Sequence, residues 1–357
     1  MGAAHTQYER ERNMEQLSRG IGRRGLLRGL TIGGAAVALA ACNESPTASK
    51  TADKGSAGAQ AAPTNDFAKT QGMKVGAVLE TLSHPLIKVW GDYLAIEGKG
   101  FGMDVSVQDG ERNVQKQTSQ MEAFLTQKVS FIVLQATDAA GLSPVVKKAE
   151  EAGIPVITLN QNVAQVHTGF VGMGHRAMGA QVAEGIAAQL GGKGNIVLLQ
   201  GVEGTGANIE RVAGFKDGLK KYPDLKIVAD QSAAFDRKKG HDVFETILKG
   251  QPQIDAVFGV NDEMAIGAAQ ASVEANRRAA IKFWGADGEL DMLKGIQAGT
   301  VDGVSAIDVL LIPRTVMFLG AWLMTAKVPG NRLAGQVEIP PYAVTKENVD
   351  KVAMPPA

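Results

Sequence analysis

From residue 73 onward the sequence predicts an α/β chain built as two doubly wound parallel-sheet lobes, and three observations carry that prediction. Short apolar runs alternate regularly with longer stretches of helical spacing, the runs lack polar alternation, and the alternation comes in two series of about four units. Unbroken Val, Ile and Leu runs mark strands covered on both faces, as parallel sheets of βαβ units require. A length of 357 residues suits two domains of ordinary size, and 45% hydrophobic with 5% aromatic residues supports sizeable cores.

Taken in order, the chain first presents GRRGLLRGLTIGGAAVALAAC. This holds a twin arginine (Arg23, Arg24), an apolar stretch from Leu30 to Ala41, and the lone cysteine Cys42 after Leu39-Ala40-Ala41. The stretch is too short for a comfortable bilayer span, so residues 1–41 read as an export signal peptide. The small residues before Cys42 resemble a bacterial lipobox, in which the cysteine becomes the lipidated first residue; a buried helix ending in an ordinary cysteine is the other reading. With no second cysteine there is no internal disulfide to make. The charged lead of residues 1–13 leaves Met14 as an alternative start. Residues 42–71, rich in Ser, Thr, Ala, Gly and Pro without apolar periodicity, read as a disordered tether.

Strands are then expected at 75–79, 105–107, 131–134 and 155–159, with helices at 86–96, 114–125 and 142–149 between them. After a seam near 171–174 the pattern repeats, with strands at 196–199, 227–229, 256–260 and 283–286. Helices are expected at 209–219, 240–248, 264–273 and 290–296. In such sheets ligands sit beyond the carboxyl ends of the strands, so the polar residues just after each strand are the candidates. They include Glu80, His84, Asp109, Gln135, Asn160, Gln161, Glu203, Thr205, Asp236, Asn261, Asp262 and Asp287. At least half of them read as solvation or caps. Asp262 fits the N-cap of the helix that starts at Met264, which leaves Asn261 aimed across the top of the sheet. Many carboxamides and carboxylates, with few lysines and no histidine cluster, suit a ligand bearing neutral hydroxyls, because each hydroxyl both donates and accepts.

Beyond residue 41 acidic side chains exceed basic ones by three, which gives no basic footprint for nucleic acid or an anionic membrane. GVEGTGAN (201–208) follows a strand as a phosphate loop does, but its glycines do not fit G-x-G-x-x-G and no Lys-Ser/Thr follows, so a tight turn is the better reading. The histidines lie far apart without i, i+4 pairs, so no metal site and no cofactor is expected.

VFGVNDEMAIGA (257–268), GVEGTGANIERVAGF (201–215), AAFDRKKG (233–240), AGIPVITLNQN (152–162) and WGADGELD (284–291) together resemble the periplasmic sugar-binding proteins of the ribose-binding type, in order over about residues 73–325. The resemblance implies the type I periplasmic binding protein fold, two lobes joined by crossings near 172–174, 306–308 and 336–339. The N-terminal lobe is then 72–172 plus 308–337, and the C-terminal lobe 173–307 plus 338–357. It implies no enzyme activity, but a monomeric receptor outside the cytoplasm that passes a sugar or polyol to ABC permease subunits and meets the membrane only through its lipid. Sugar-responsive repressors share this core but need a DNA-binding module where this chain has the export signal. A receptor feeding a chemosensory or two-component sensor stays open, as does a non-carbohydrate polar ligand.

Ligand contacts implied in the second lobe are Arg211, Phe235, Asn261 and Asp287. The first lobe departs from the pattern: Leu86 and Ile87 replace an aromatic pair, Asn160-Gln161 an Asp-Arg pair, and Gln135 and His84 each an Asn. The last contact falls on Ile307 or Asp308, with Asp308 favoured on polarity. Trp90 reads either as the missing aromatic wall or as core. These departures argue against ribose itself as the ligand.

Overall fold

The computed structural model describes residues 67–326 and 336–355. The expected signal peptide, Cys42 and nearly all of the tether lie outside the described residues.

The first sheet runs in the order β11-β5-β4-β3-β1-β2, from β1 (Lys74–Leu79), β2 (Asp104–Asp109), β3 (Phe131–Leu134), β4 (Val156–Leu159), β5 (Gly169–Met173) and β11 (Gln336–Ile339). All of its pairings are parallel. Alternation along the strands sends Ala77, Leu79, Phe131 and Val133 to one core, with α1 (Pro85–Gly100) and α9 (Leu311–Thr325). Val78, Ile132 and Leu134 face α2 (Val114–Gln127) and α3 (Ser143–Glu151) on the other side. Trp90 is fully buried in the first of these cores.

The second sheet runs β12-β10-β9-β8-β6-β7, from β6 (Lys193–Gln200), β7 (Asp224–Ser232), β8 (Ala256–Gly259), β9 (Lys282–Asp287), β10 (Gly303–Ala306) and β12 (Tyr342–Thr345). Only β12 is antiparallel to its neighbour. Its helices are α4 (His175–Leu190), α5 (Gly206–Leu219), α6 (Arg237–Gly250), α7 (Asp262–Glu274) and α8 (Leu290–Ala298).

Glycines let the helices of this lobe approach each other closely. A Cβ on Gly179 would sit 1.9 Å from the Arg211 carbonyl, and one on Gly214 1.9 Å from the Arg176 carbonyl, so α4 and α5 cross backbone to backbone. Gly267 in α7 meets the Arg237 carbonyl of α6 in the same way, at 2.0 Å.

Among the described residues the chain passes between the sheets three times: β5 to α4 through Gly174, β10 to α9 through 307–310, and β11 to β12 through Pro340-Pro341. The last passage lies two residues beyond the expected boundary at 337/338, because two prolines cannot donate to a ladder and so end β11. Gly174 N donates to Ile339 O at 3.2 Å, which joins the first passage to the third. Trp90 Nε1 donates to Val309 O at 2.8 Å and pins α1 to the second.

Candidate functional site

In the first sheet β1 lies between β2 and β3, and in the second β6 lies between β7 and β8, so each sheet reverses its winding there. Loops leaving the carboxyl ends of strands at such a point diverge and leave a crevice. The two crevices face each other across a cavity of about 50 Å³. The first lobe supplies Glu80, His84, Arg112, Gln135, Asn160 and Gln161, and the second Arg211, Phe235, Asn261 and Asp287. Leu86, Ile87, Trp90 and Ala207 make the apolar wall. A larger groove of about 450 Å³ opens beside it, past His84, between the start of α1 and the β9–α8 loop. The smaller cavity is the candidate site, because polar groups from both lobes converge on it.

Eight of the nine expected ligand residues line this cavity, and Asp308 does not. Asp308 is exposed and its Oδ1 accepts from Leu310 N at 3.0 Å, capping a turn. Ile307 is buried instead, with its N donating to Asp287 O at 3.1 Å. Polarity misled here, since the residue nearest the hinge points its polar group at its own turn.

The N-cap of α7 is Asn261 and not Asp262 as expected, while Asn261 keeps its expected place on the cavity. Helix α7 starts at Asp262, so Asn261 is its N-cap, with Oδ1 accepting from Met264 N at 3.0 Å. That leaves the Asn261 amide nitrogen for the cleft, 3.3 Å from His84 Nε2 and 3.4 Å from Phe235 O. Asp262 is fully buried, and its Oδ2 accepts from Gly288 N and Glu289 N at 2.8 and 2.7 Å. It anchors the loop that carries Asp287. Burial and the neighbouring Asp287 charge push its pKa well up.

Arg211 is 2% exposed and every one of its N–H directions meets a protein acceptor. Nε donates to His175 Nδ1 (3.2 Å), Nη1 to Val260 O (2.7 Å) and Ala286 O (3.1 Å), and Nη2 to Asp287 Oδ1 (2.6 Å) and Met173 Sδ (3.1 Å). The thioether is the weakest of these acceptors, so the Nη2 donor facing it is the one a ligand oxygen displaces most cheaply. Burial, and then the Arg211 charge, depress the His175 pKa to about 3, which keeps the ring neutral and able to accept. Burial raises the Asp287 pKa while Arg211 opposes the rise.

His84 bridges the lobes. Its Nε2 accepts from Asn261, and its Nδ1 lies 3.6 Å from Glu289 Oε1. Burial, with Arg112 and Arg211 nearby, lowers its pKa to about 4, and burial pushes that of Glu289 well up.

Three cavity-lining residues adopt left-handed backbone without being glycine: Arg112 (φ 52°), Asn160 (φ 57°) and Phe235 (φ 60°). Such conformations persist where surrounding structure compels them, and they gather at functional sites. The Phe235 ring lies against Gly201, where a Cβ would come within 2.0 Å of it, so the first glycine of GVEGTGAN admits an aromatic face. Thr205 and Asp236 cap α5 and α6. Arg112 was not singled out in the sequence, since a basic residue in DGERN reads as loop solvation; its left-handed turn leaves no mark in the residue types.

Residues 75–328 match the family described as periplasmic binding protein domain. The ribose import binding protein of Bacillus subtilis is 34% identical over 238 residues, covering 66% of this chain and 76% of that protein. A solved ABC transporter solute binding protein from Bacillus halodurans with bound myo-inositol superposes with a TM-score of 0.74 at 26% identity, over 79% of this chain and 97% of that one. The fructose-binding periplasmic domain of a hybrid two-component system gives a TM-score of 0.72 at 26% identity, over 78% of this chain and 92% of that one. The family match runs from β1 to just past α9, across both sheets and two of the three passages, and this chain belongs to the periplasmic binding protein family.

Proposed function

We propose that this chain is a solute receptor that encloses a small neutral sugar or polyol between its lobes and delivers it to an ABC importer, with no chemistry on the ligand. The observation that carries this reading is the cavity at the facing switch points, where amides and carboxyls from both lobes surround an aromatic ring. Its two carboxylates, Glu80 and Asp287, are matched by Arg112 and Arg211, so a neutral ligand leaves no charge unbalanced. Contacts from both lobes favour the closed state, which the permease then recognises.

In this reading residues 1–41 direct export, Cys42 carries the lipid, residues 42–71 form the tether, and the folded part is a monomer. Among the described residues no helix is long and apolar enough to cross a membrane. A Cys42→Ser chain then leaves the membrane fraction, and its retention there would remove the anchor. Docking to a sensor is the second reading, favoured by the two-component relative; neighbouring ATPase and permease genes would decide for import.

A thermal-shift screen of the purified protein against pentoses, hexoses and polyols, with NAD and ATP as controls, tests the ligand class. A ligand at 100 times its Kd stabilises by about 2.7 kcal/mol, or roughly 5–11 °C for lobes of this size. A shift with NAD alone would overturn the reading.

A further inference from the structure

The charged groups of the cavity divide into two kinds. In the second lobe Arg211 and Asp287 are bound to each other and to the protein around them. In the first lobe Glu80 and Arg112 line the same cavity, but among the described residues the one polar contact of either side chain is Arg112 Nε to Glu80 Oε1 at 3.9 Å. That is too long for a hydrogen bond. The carboxylate is 16% exposed and sits where burial already pushes its pKa up, so leaving it without a donor is costly.

Their backbones, by contrast, are firmly held. Arg112 N donates to Glu80 O at 2.6 Å, and Gly110 N to Leu79 O at 2.8 Å. Asp109 Oδ1 accepts from Leu82 N at 3.1 Å and from Glu111 N at 2.9 Å, which ties the loop after β2 to the loop after β1. Glu111 and Arg112 are consecutive left-handed residues, at φ 50° and 52°. Two adjacent side chains in that region cost conformational energy, and here the turn delivers a guanidinium to the cleft. Loops pinned this tightly, around two charges that hardly touch, are preorganised for a third party.

We propose that Glu80 and Arg112 are a specificity-determining pair, a carboxylate and a guanidinium on the first-lobe wall that receive neighbouring hydroxyls of a neutral ligand, one as acceptor and one as donor. This rests on the sugar-or-polyol reading above. A hydroxyl donates to the carboxylate while its neighbour accepts from the guanidinium, so a diol closes the 3.9 Å gap that the pair leaves open. A ligand lacking that diol leaves the largely buried Glu80 carboxylate short of a donor, while Arg112, whose side chain is 43% exposed, keeps water; the rejection of the deficient analogue then comes mainly from the carboxylate.

The test is calorimetry of a panel of pentoses, hexoses, pentitols and inositols against the wild-type chain, Glu80→Gln, Arg112→Gln and the double variant. Each single variant is expected to lose at least about tenfold in affinity for the best wild-type ligand. Deoxy analogues of that ligand should lose much less, and the double variant less than the product of the singles. The unliganded melting temperature should stay near wild type, which separates this role from a structural one. Unchanged affinities and ranking in both variants would overturn the pair while leaving the receptor reading intact. A uniform loss for every ligand, with a lower unliganded melting temperature, would make the pair structural. A wild-type chain that binds nothing in the panel would refute the sugar-or-polyol reading itself, and the pair with it.

Discussion

Asn261 does two things at once, and two substitutions separate them. Its Oδ1 caps α7 through Met264 N, and its Nδ2 faces the cleft beside His84. Asn261→Ala removes both; Asn261→Ser keeps a capping oxygen and withdraws the amide. An N-cap contributes about 1 kcal/mol, which for a lobe of this size is roughly 2–4 °C in melting temperature. The amide is a neutral donor, and its two contacts at 3.3 and 3.4 Å are long, so a ligand oxygen takes it over at little cost. Its loss should then weaken binding by about 1 kcal/mol, or roughly fivefold. The expected pattern is a lowered melting temperature for the Ala variant, a near wild-type one for the Ser variant, and similarly weakened binding in both. Differential scanning calorimetry and titration calorimetry read the two quantities separately. A wild-type melting temperature for Asn261→Ala would refute the cap, and wild-type affinity for Asn261→Ser would take the amide out of the ligand surface.

Arg211→Ala leaves Asp287 buried without its partner; chemical denaturation should show a loss of about 3–5 kcal/mol, and wild-type stability would mean that the carboxylate does not depend on the arginine. Gly214→Ala forces a Cβ against the Arg176 carbonyl at 1.9 Å, so α5 must move away from α4 and carry Arg211 with it. It should cost about 1–3 kcal/mol and weaken ligand binding, whereas Gly100→Ala, with nothing within 4 Å, should do neither. The pKa values of His84 and His175, about 4 and about 3, lie below the ordinary histidine value. The unfolded chain therefore takes up protons first, and their contribution is whole above about pH 6.5 and lost as pH falls towards 4 for His84 and towards 3 for His175. Glu289 and Asp262, with raised pKa values, act in the opposite sense as pH rises above about 4.5. Urea denaturation at pH 7 and pH 4.5 should show a smaller drop for His175→Gln than for wild type, and equal drops would refute the buried neutral ring.

What the sequence disclosed follows from what burial writes into residue types. Strands covered on both faces must be apolar throughout, so 131–134, 256–260 and 283–286 could be read directly. Helix α4 does carry an apolar period, with Met178, Val182 and Ile186 on its buried face, but its glycines, Gly179 under the α5 backbone and Gly185 under Trp284, weaken the helical signal between them. The cap that falls on Asn261 instead of Asp262 has its origin in how periodicity marks a helix start. Periodicity starts α7 at its first large apolar residue, Met264, whereas the first turn begins two residues earlier in backbone terms. Arg112 escaped notice because its position depends on φ, and φ is invisible wherever glycine is not used.

The cleft as it stands also constrains how binding couples to motion. A cavity of about 50 Å³ holds a few water molecules, so a sugar-sized ligand enters only after the lobes part. The polar groups that meet across the closed cleft are poorly matched. Among the described residues His84 Nδ1 and Glu289 Oε1 are buried without hydrogen-bond partners, 3.6 Å apart, and the carboxamide oxygen of Gln135 is likewise unpartnered. Each such group costs the closed form roughly 1–3 kcal/mol. Driving an equilibrium from 1:99 to 99:1 takes about 5.5 kcal/mol of differential affinity. A ligand in the cavity meets His84 and Gln135, which line it, and satisfying both supplies about 2–6 kcal/mol towards that difference. On this account the unpaired atoms of the cleft are what make closure depend on the ligand, because a cleft whose lobes satisfied each other completely would stay shut without one.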